Sequence, residues 1–282
     1  MKITIKRGHA VDSHSIPSAW KSVFPPRSIR GYARRMKTRF LSLFAISSLL
    51  ATVCGSVSAA ENAAPPKPPA RRAPHPSLAK IEDVPGLPRV LLIGDSISMG
   101  YTVEVRELLK GKANVHRIPT NGGPTVNGLK NLKAWLGDGK WDVIHFNWGL
   151  HDLKYIQADP AKRADPTAAG AHLQVPPADY EKNLRELAAQ LQATGAKLLW
   201  CNTTPVIEGS DGRVAGEELK YNEIAARVMK DAGIPTNDLH SHAQAKLKEI
   251  QLPDGNVHFT GSGYQYLAGK VAAEIESALP KK

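Results

Sequence analysis

Between Arg89 and Ala278, short apolar runs alternate with longer segments whose apolar residues recur every three or four positions. Val90-Leu91-Leu92-Ile93 and Trp141 to Trp148 are mostly apolar on both parities, as a strand covered on both faces should be. From Pro177 onward Tyr180, Leu184, Leu187, Ala188 and Leu191 share one helical face, and Gly195 closes the pattern. The alternation predicts strands at 89–94, 114–118, 141–147, 197–203 and 234–238. Helices are predicted near 98–111, 124–137, 178–194, 216–232, 241–250 and 262–278. Such an order gives an α/β fold, a parallel sheet with helices on both faces. Residues 153–176 follow neither period, and a connection of that length is a lid, a binding loop or disorder.

The N-terminal part follows a different pattern. From Met36 the chain runs Lys37-Thr38-Arg39, then an apolar stretch Phe40 to Val53, then small residues up to Ala60. That is the order of a secretory signal, with cleavage near Ala59 or Ala60 and a secreted or periplasmic product. Residues 1–35 read as an overcalled start or an extended leader. The apolar run is shorter than the roughly 20 residues of a membrane span, so no stable anchor is expected after cleavage. Residues 61–87, with Pro65-Pro66-Lys67-Pro68-Pro69, read as a disordered linker, and 88–282 as the compact domain.

Charge and cysteine content change the picture only through this leader. The net charge of +11 is concentrated in residues 1–60, which hold ten Lys and Arg against one Asp; the other 222 residues carry 27 basic and 25 acidic groups. A domain so nearly balanced has no nucleic-acid footprint. Cys54 leaves with the leader, so Cys201 stands alone, a buried small side chain with no disulfide partner.

The chemistry is sought where the first apolar run ends in Gly94-Asp95-Ser96 and opens into a helix. A serine there stands at the carboxyl edge of the sheet, where open α/β folds bind ligands. The unpaired N–H groups of the following helix favour negative charge at the same place, as an acyl-transfer intermediate requires. Of seven histidines in the domain, His258 is the best-placed base, because Leu252 to Thr260 is a turn-rich segment just before the last helix. Asp254, four residues upstream, is the candidate acid that orients it. His240-Ser241-His242 has metal-like spacing, but no acidic or cysteine cluster completes a site. A dinucleotide site is disfavoured: the three-glycine spacing is missing, and Arg117-Ile118-Pro119-Thr120 stands where an acid would bind ribose. Ser98 in place of a glycine disfavours the ordinary nucleophile elbow Gly-x-Ser-x-Gly.

Residues 88 to 280 resemble the SGNH or GDSL hydrolases, serine esterases on a flavodoxin-like sheet. The resemblance rests on four blocks in order: Gly94-Asp95-Ser96-Ile97-Ser98, Asn121-Gly122-Gly123-Pro124-Thr125, Gly149-Leu150-His151-Asp152, and Asp254 to His258 followed by Phe259-Thr260. It implies a three-layer sandwich with a central five-stranded parallel sheet, in which Ser96 attacks, His258 is base and then acid, and Asp254 orients His258. It also implies an oxyanion held by the N–H of Ser96, by that of Gly122 or Gly123, and by a side chain of the third block. The family's Gly-x-Asn-Asp appears here with His151 in the asparagine position, so that donor is His151, or Asn147 from the end of its strand. The spacing from Asp254 to His258 is one residue longer than the family's. No metal or organic cofactor is needed. The implied function is exported hydrolysis of short acyl esters, acetyl above all, on a carbohydrate or another small molecule. The alternatives are a lysophospholipase, thioesterase or acyltransferase at the same site, or an inactive carbohydrate-binding domain.

Overall fold

The structure, a computed structural model, describes residues 74–281. The leader assigned to 1–60 and residues 61–73 of the linker lie outside the described residues. In chain order the elements are β1 (Arg89–Ile93), α1 (Ser96–Leu108), β2 (Asn114–Arg117), α2 (Thr125–Leu136), β3 (Val143–Phe146), β4 (Tyr155–Ile156), β5 (His172–Leu173), α3 (Pro177–Gln192), β6 (Lys197–Cys201), α4 (Glu217–Asp231), β7 (Thr236–Asn237), α5 (Leu239–Gln244), α6 (Leu247–Ile250) and α7 (Gly261–Ala278). The main sheet has five parallel strands in the order β2-β1-β3-β6-β7. Each strand predicted from an apolar run is present.

The order decides where a ligand can bind. The chain leaves β1 for β2 on one side, then crosses back to place β3 on the other, so Leu91 pairs with His116 and with Ile144. At that reversal the connections after β1 and β3 diverge and leave a crevice at the carboxyl ends. Right-handed crossovers put α1 on one face and α2 on the other; α1 packs on α7, and α2, α3 and α4 pack side by side. Val90, Leu92, Ile93 and Phe146 have no solvent exposure, which explains why these strands are apolar on both parities.

Two expectations need correction and one is narrowed. The helix predicted over 241–250 is two short helices, broken where Lys246 leaves helical geometry at φ −128°. For residues 153–176 the structure removes only the disorder alternative and leaves the lid and the binding loop, since Lys154, Ala161 and Arg163 line the pocket of Ser96. Tyr155 pairs antiparallel with Leu173 in a two-residue ladder, and Tyr155 N–H also donates to Gly212 O at 2.8 Å. Residues 76–87 are not a free spacer either: Asn114 accepts from Val84 N–H at 2.9 Å and donates to the Val84 and Leu87 carbonyls at 3.0 and 3.2 Å. Asp83 pairs with Arg89 at 2.9 Å. Proline content conveys an extended backbone; it does not convey that side chains of β2 satisfy that backbone's polar groups.

Among the described residues no helix is long and apolar enough to cross a membrane.

Candidate active site

The turn after β1 is fixed from two sides. Asp95 accepts from Ile97 N–H at 2.9 Å and so caps α1, which makes Ser96 the first helical residue and its N–H one of the donors a helix leaves unpaired. Arg117, the last residue of β2, donates to Gly94 O at 2.8 Å, to Asp95 O at 3.1 Å and to the Ser98 hydroxyl. The loop after β2 closes on the same turn: Gly122 N–H donates to Gly94 O at 2.9 Å, and a Cβ on Gly122 would stand 2.9 Å from that oxygen. Any larger residue would push the second block off the first.

His258 arrives from the loop before α7, held by Leu252 N–H on His258 O at 2.9 Å and by Thr260 N–H on Ile250 O at 2.8 Å. Its Nε2 lies 2.9 Å from Ser96 Oγ. The structure therefore brings the two predicted residues together from opposite ends of the fold. On the other side of the ring, one Asn256 atom meets the His258 backbone N–H at 3.0 Å and Nδ1 at 2.8 Å. A backbone N–H only donates, so that atom is the amide oxygen and Nδ1 carries the proton. Nε2 is left with its lone pair toward the serine hydroxyl, the arrangement an imidazole needs to accept the hydroxyl proton. Burial holds the His258 pKa below its ordinary value, the Asp95 carboxylate opposes this, and the Arg213 and Arg163 guanidinium groups reinforce it.

Asp254, the expected orienting acid, is not at Nδ1. It sits in a turn with φ 57°, closed by Asn256 N–H on Pro253 O at 3.2 Å. No hydrogen bond joins it to His258. The extra residue in Asp-x-x-x-His is absorbed by this turn, and the side chain two residues before the histidine takes the place of the acid.

Of the five predicted oxyanion residues, Ser96 keeps its unpaired N–H at the start of α1, and the other four separate in the same way. Gly122 N–H is spent on Gly94 O. Gly123 N–H is held at 2.9 Å only by the Asn121 side chain, in a two-residue turn that a better acceptor can displace. Asn147 donates to Cys201 O at 2.7 Å and lines a separate small space with Asp95, Ser98 and Tyr101, not the pocket that Ser96 shares with His258. His151 lines the same pocket as Ser96 and His258, about 320 Å³ in volume, with Lys154, Arg163 and Arg213 around it. Burial is the main cause that lowers the His151 pKa and keeps it neutral, with one ring N–H to donate.

The loop that carries His151 is itself over-determined. A Cβ on Gly149, at φ +146°, would lie 2.3 Å from Thr203 Oγ1. Asp152 accepts from Thr125 N–H at 2.9 Å and Thr125 Oγ1 at 2.5 Å, while its other oxygen is buried without a partner and burial pushes its pKa up to about 7. Arg213 Nε donates to Leu150 O at 2.9 Å. Sequence reasoning missed Asn256, Arg117, Lys154, Arg163 and Arg213. Only Arg117 had a signal, its position at the carboxyl end of the strand beside β1. Cys201 is buried, which pushes its thiol pKa up and leaves it inert. His240 meets Glu218 at 3.3 Å and His242 stacks on Tyr266. Among the described residues no three His, Cys, Asp or Glu side chains gather as metal ligands.

A family model described as GDSL-like lipase/acylhydrolase matches residues 92–266. Among solved structures, a lipase/acylhydrolase from Enterococcus faecalis is similar with a TM-score of 0.56 at 20% identity, over 70% of this chain and 99% of that one. The acetyl xylan esterase AlAXEase is similar with a TM-score of 0.53 at 18% identity, over 66% of this chain and 99% of that one. The acetylxylan esterase Axe2 from Geobacillus stearothermophilus gives 0.53 at 18%, over 67% and 94%. A search of curated proteins returned no match.

Proposed function

Since the chain belongs to the GDSL-like lipase/acylhydrolase family and is a carboxylic ester hydrolase, we propose that it is an exported serine esterase removing short acyl groups, acetyl first, from carbohydrate. Ser96 Oγ attacks the acyl carbon as its proton passes to His258 Nε2. The tetrahedral oxyanion is held by Ser96 N–H, by Gly123 N–H once Asn121 lets go, and by His151. Collapse breaks the ester bond, and the proton on Nε2 goes to the departing alkoxide. Water then attacks the acyl-enzyme, gives its proton to Nε2, and releases the acid as Ser96 regains its own. Asn256 fixes the tautomer throughout.

The observation that carries this reading is the 2.9 Å contact of Ser96 Oγ with a His258 ring whose other nitrogen is already anchored. The acetylxylan esterases among the structural neighbours and the small pocket support a short acyl group on a sugar. Export is carried by the order of residues 36–60. The test is release of acetate from acetylated xylan and of phenolate from p-nitrophenyl acetate, both lost in Ser96→Ala and His258→Ala. Equal turnover by wild type and Ser96→Ala would refute the mechanism. N-terminal sequencing of the protein recovered outside the cytoplasm is expected to begin at Ala60 or Glu61; recovery of the intact leader would refute export by this route.

A further inference from the structure

The pocket beside Ser96 contains more positive charge than an uncharged ester needs. Lys154 and Arg213 are both only 8% exposed and both line it. Neither has a carboxylate partner among the described residues: Lys154 Nζ reaches Pro160 O at 3.3 Å, and Arg213 uses Nε on Leu150 O and Nη1 on Asp211 O. Arg163, on the same rim, is paired with Asp211 at 2.8 Å. Asp254 lines an adjoining cavity with Arg163 and Arg213, yet forms no ion pair with either. A buried cation without a counter-ion is costly, and further cations on the same pocket add repulsion. Burial comes first in holding each pKa down; the Arg213 and Arg163 charges add to it for Lys154, while for Arg213 the pull of Asp95 opposes it, the Arg163 charge adds to it and the more weakly acting Asp211 carboxylate opposes it.

Packing alone does not require both charges at the mouth of a reactive serine. Arg213 has a structural share, through Leu150 O, in holding the His151 loop. Lys154 has no such share, since a single long bond to a carbonyl needs no charge.

The geometry points to a substrate that brings the missing counter-ion: an ester with a carboxylate close to the scissile bond, such as an acylated sugar acid, with the carboxylate seated between Lys154 and Arg213. This rests on the esterase reading and narrows it from sugars in general to acidic ones. A carboxylate there completes the pair already made on the protein side, and its desolvation is repaid by charge-assisted hydrogen bonds.

Two matched pairs of substrates test it and separate the two places the carboxylate could sit. On the alcohol side, p-acetoxybenzoate is compared with p-acetoxybenzamide; on the acyl side, mono-p-nitrophenyl adipate is compared with p-nitrophenyl hexanoate. Wild type is expected to favour the anionic member of at least one pair in kcat/KM by about tenfold to a hundredfold, the size of one or two charge-assisted bonds. The preference should shrink with added salt, fall toward one in Lys154→Met, and be restored in Lys154→Arg. Binding of the four intact esters to Ser96→Ala by calorimetry gives the same comparison without turnover. If Ser96→Ala binds the anionic and neutral members of both pairs equally, the carboxylate pocket is wrong even if wild type hydrolyses all four. If it prefers the anion but wild type hydrolyses none, the pocket stands and the esterase mechanism falls. A preference unchanged in Lys154→Met would also overturn the assignment.

Discussion

Replacing the residue that orients His258 separates this site from a triad built on an acid. Asn256 offers one neutral oxygen at 2.8 Å from Nδ1. A neutral hydrogen bond contributes about 1 kcal/mol net, or about fivefold in rate. A buried triad carboxylate is worth on the order of ten thousandfold, because it also stabilises the imidazolium. Asn256→Ala should therefore lower kcat/KM on p-nitrophenyl acetate only about fivefold. Asn256→Asp puts a carboxylate at the same place. The residue is exposed, so solvent screens the new charge and the rise in the His258 pKa is near the lower end of the usual range, about one unit.

The base must be neutral to act, so activity is lost as pH falls through the His258 pKa. In Asn256→Asp the acid limb of the kcat/KM profile should move up by about one pH unit, with an equal or higher plateau. Asp254→Asn should change the plateau by less than about twofold, since surface substitutions that break no contact cost little. A drop of about a thousandfold in Asp254→Asn, the scale of a triad acid, would refute the reasoning: the loop would then rearrange in solution to bring Asp254 to Nδ1. A drop of that size in Asn256→Ala would show that the neutral amide matters far more than one hydrogen bond.

Three other outcomes follow from the same geometry. His151→Ala should lower kcat/KM by about a hundredfold, as for an oxyanion donor, with KM little changed; a loss under about threefold would pass the role to Asn121 or to backbone N–H groups alone. Because burial and two guanidinium groups hold the His258 pKa down, the wild-type acid limb should lie below about 6.5 and move up in Arg163→Met, where one repelling charge is gone; a limb that moves down refutes the electrostatic account. Asp152 has a folded pKa of about 7 against 3.8 unperturbed, so the folded state holds a proton that the unfolded state has lost between those values. Stability should fall as pH rises through that window and level off above it. Asp152→Asn should flatten that part of the Tm profile, measured by thermal melts from pH 4 to 8; an unchanged profile would show that another group titrates.

The parts of this site legible in the sequence are those that topology alone brings together. Two apolar runs of both-face parity make a parallel sheet, loops at its carboxyl ends share one edge, and Ser96 and His258 each sit in such a loop. Their meeting follows from strand order, whatever the detail of either turn. Asn256 was invisible for the opposite reason. Which residue faces the histidine depends on the turn taking left-handed geometry at both Asp254 and Gly255, and a one-residue difference in where that turn falls exchanges an acid for an amide. The same holds for Arg213 and Lys154, which come from irregular segments that carry no period.

The oxyanion donors show why even a strong motif stops short. Every residue but proline has an N–H, so the sequence could offer Gly122 and Gly123 but had no means to choose. The choice lies with the competing acceptors. Gly94 O takes the first N–H in a backbone bond that is part of the fold, whereas Asn121 holds the second with a side chain that lies in the pocket itself. A donor held by one side-chain amide at the edge of a pocket can exchange that acceptor for a stronger one, and the displaced Asn121 side chain can remain in the pocket beside the new charge. Asn121→Ala should then free the Gly123 N–H in advance of substrate, so a fall in kcat/KM would reveal Asn121 itself as a donor, while an unchanged or raised value would leave that part of the site to the backbone.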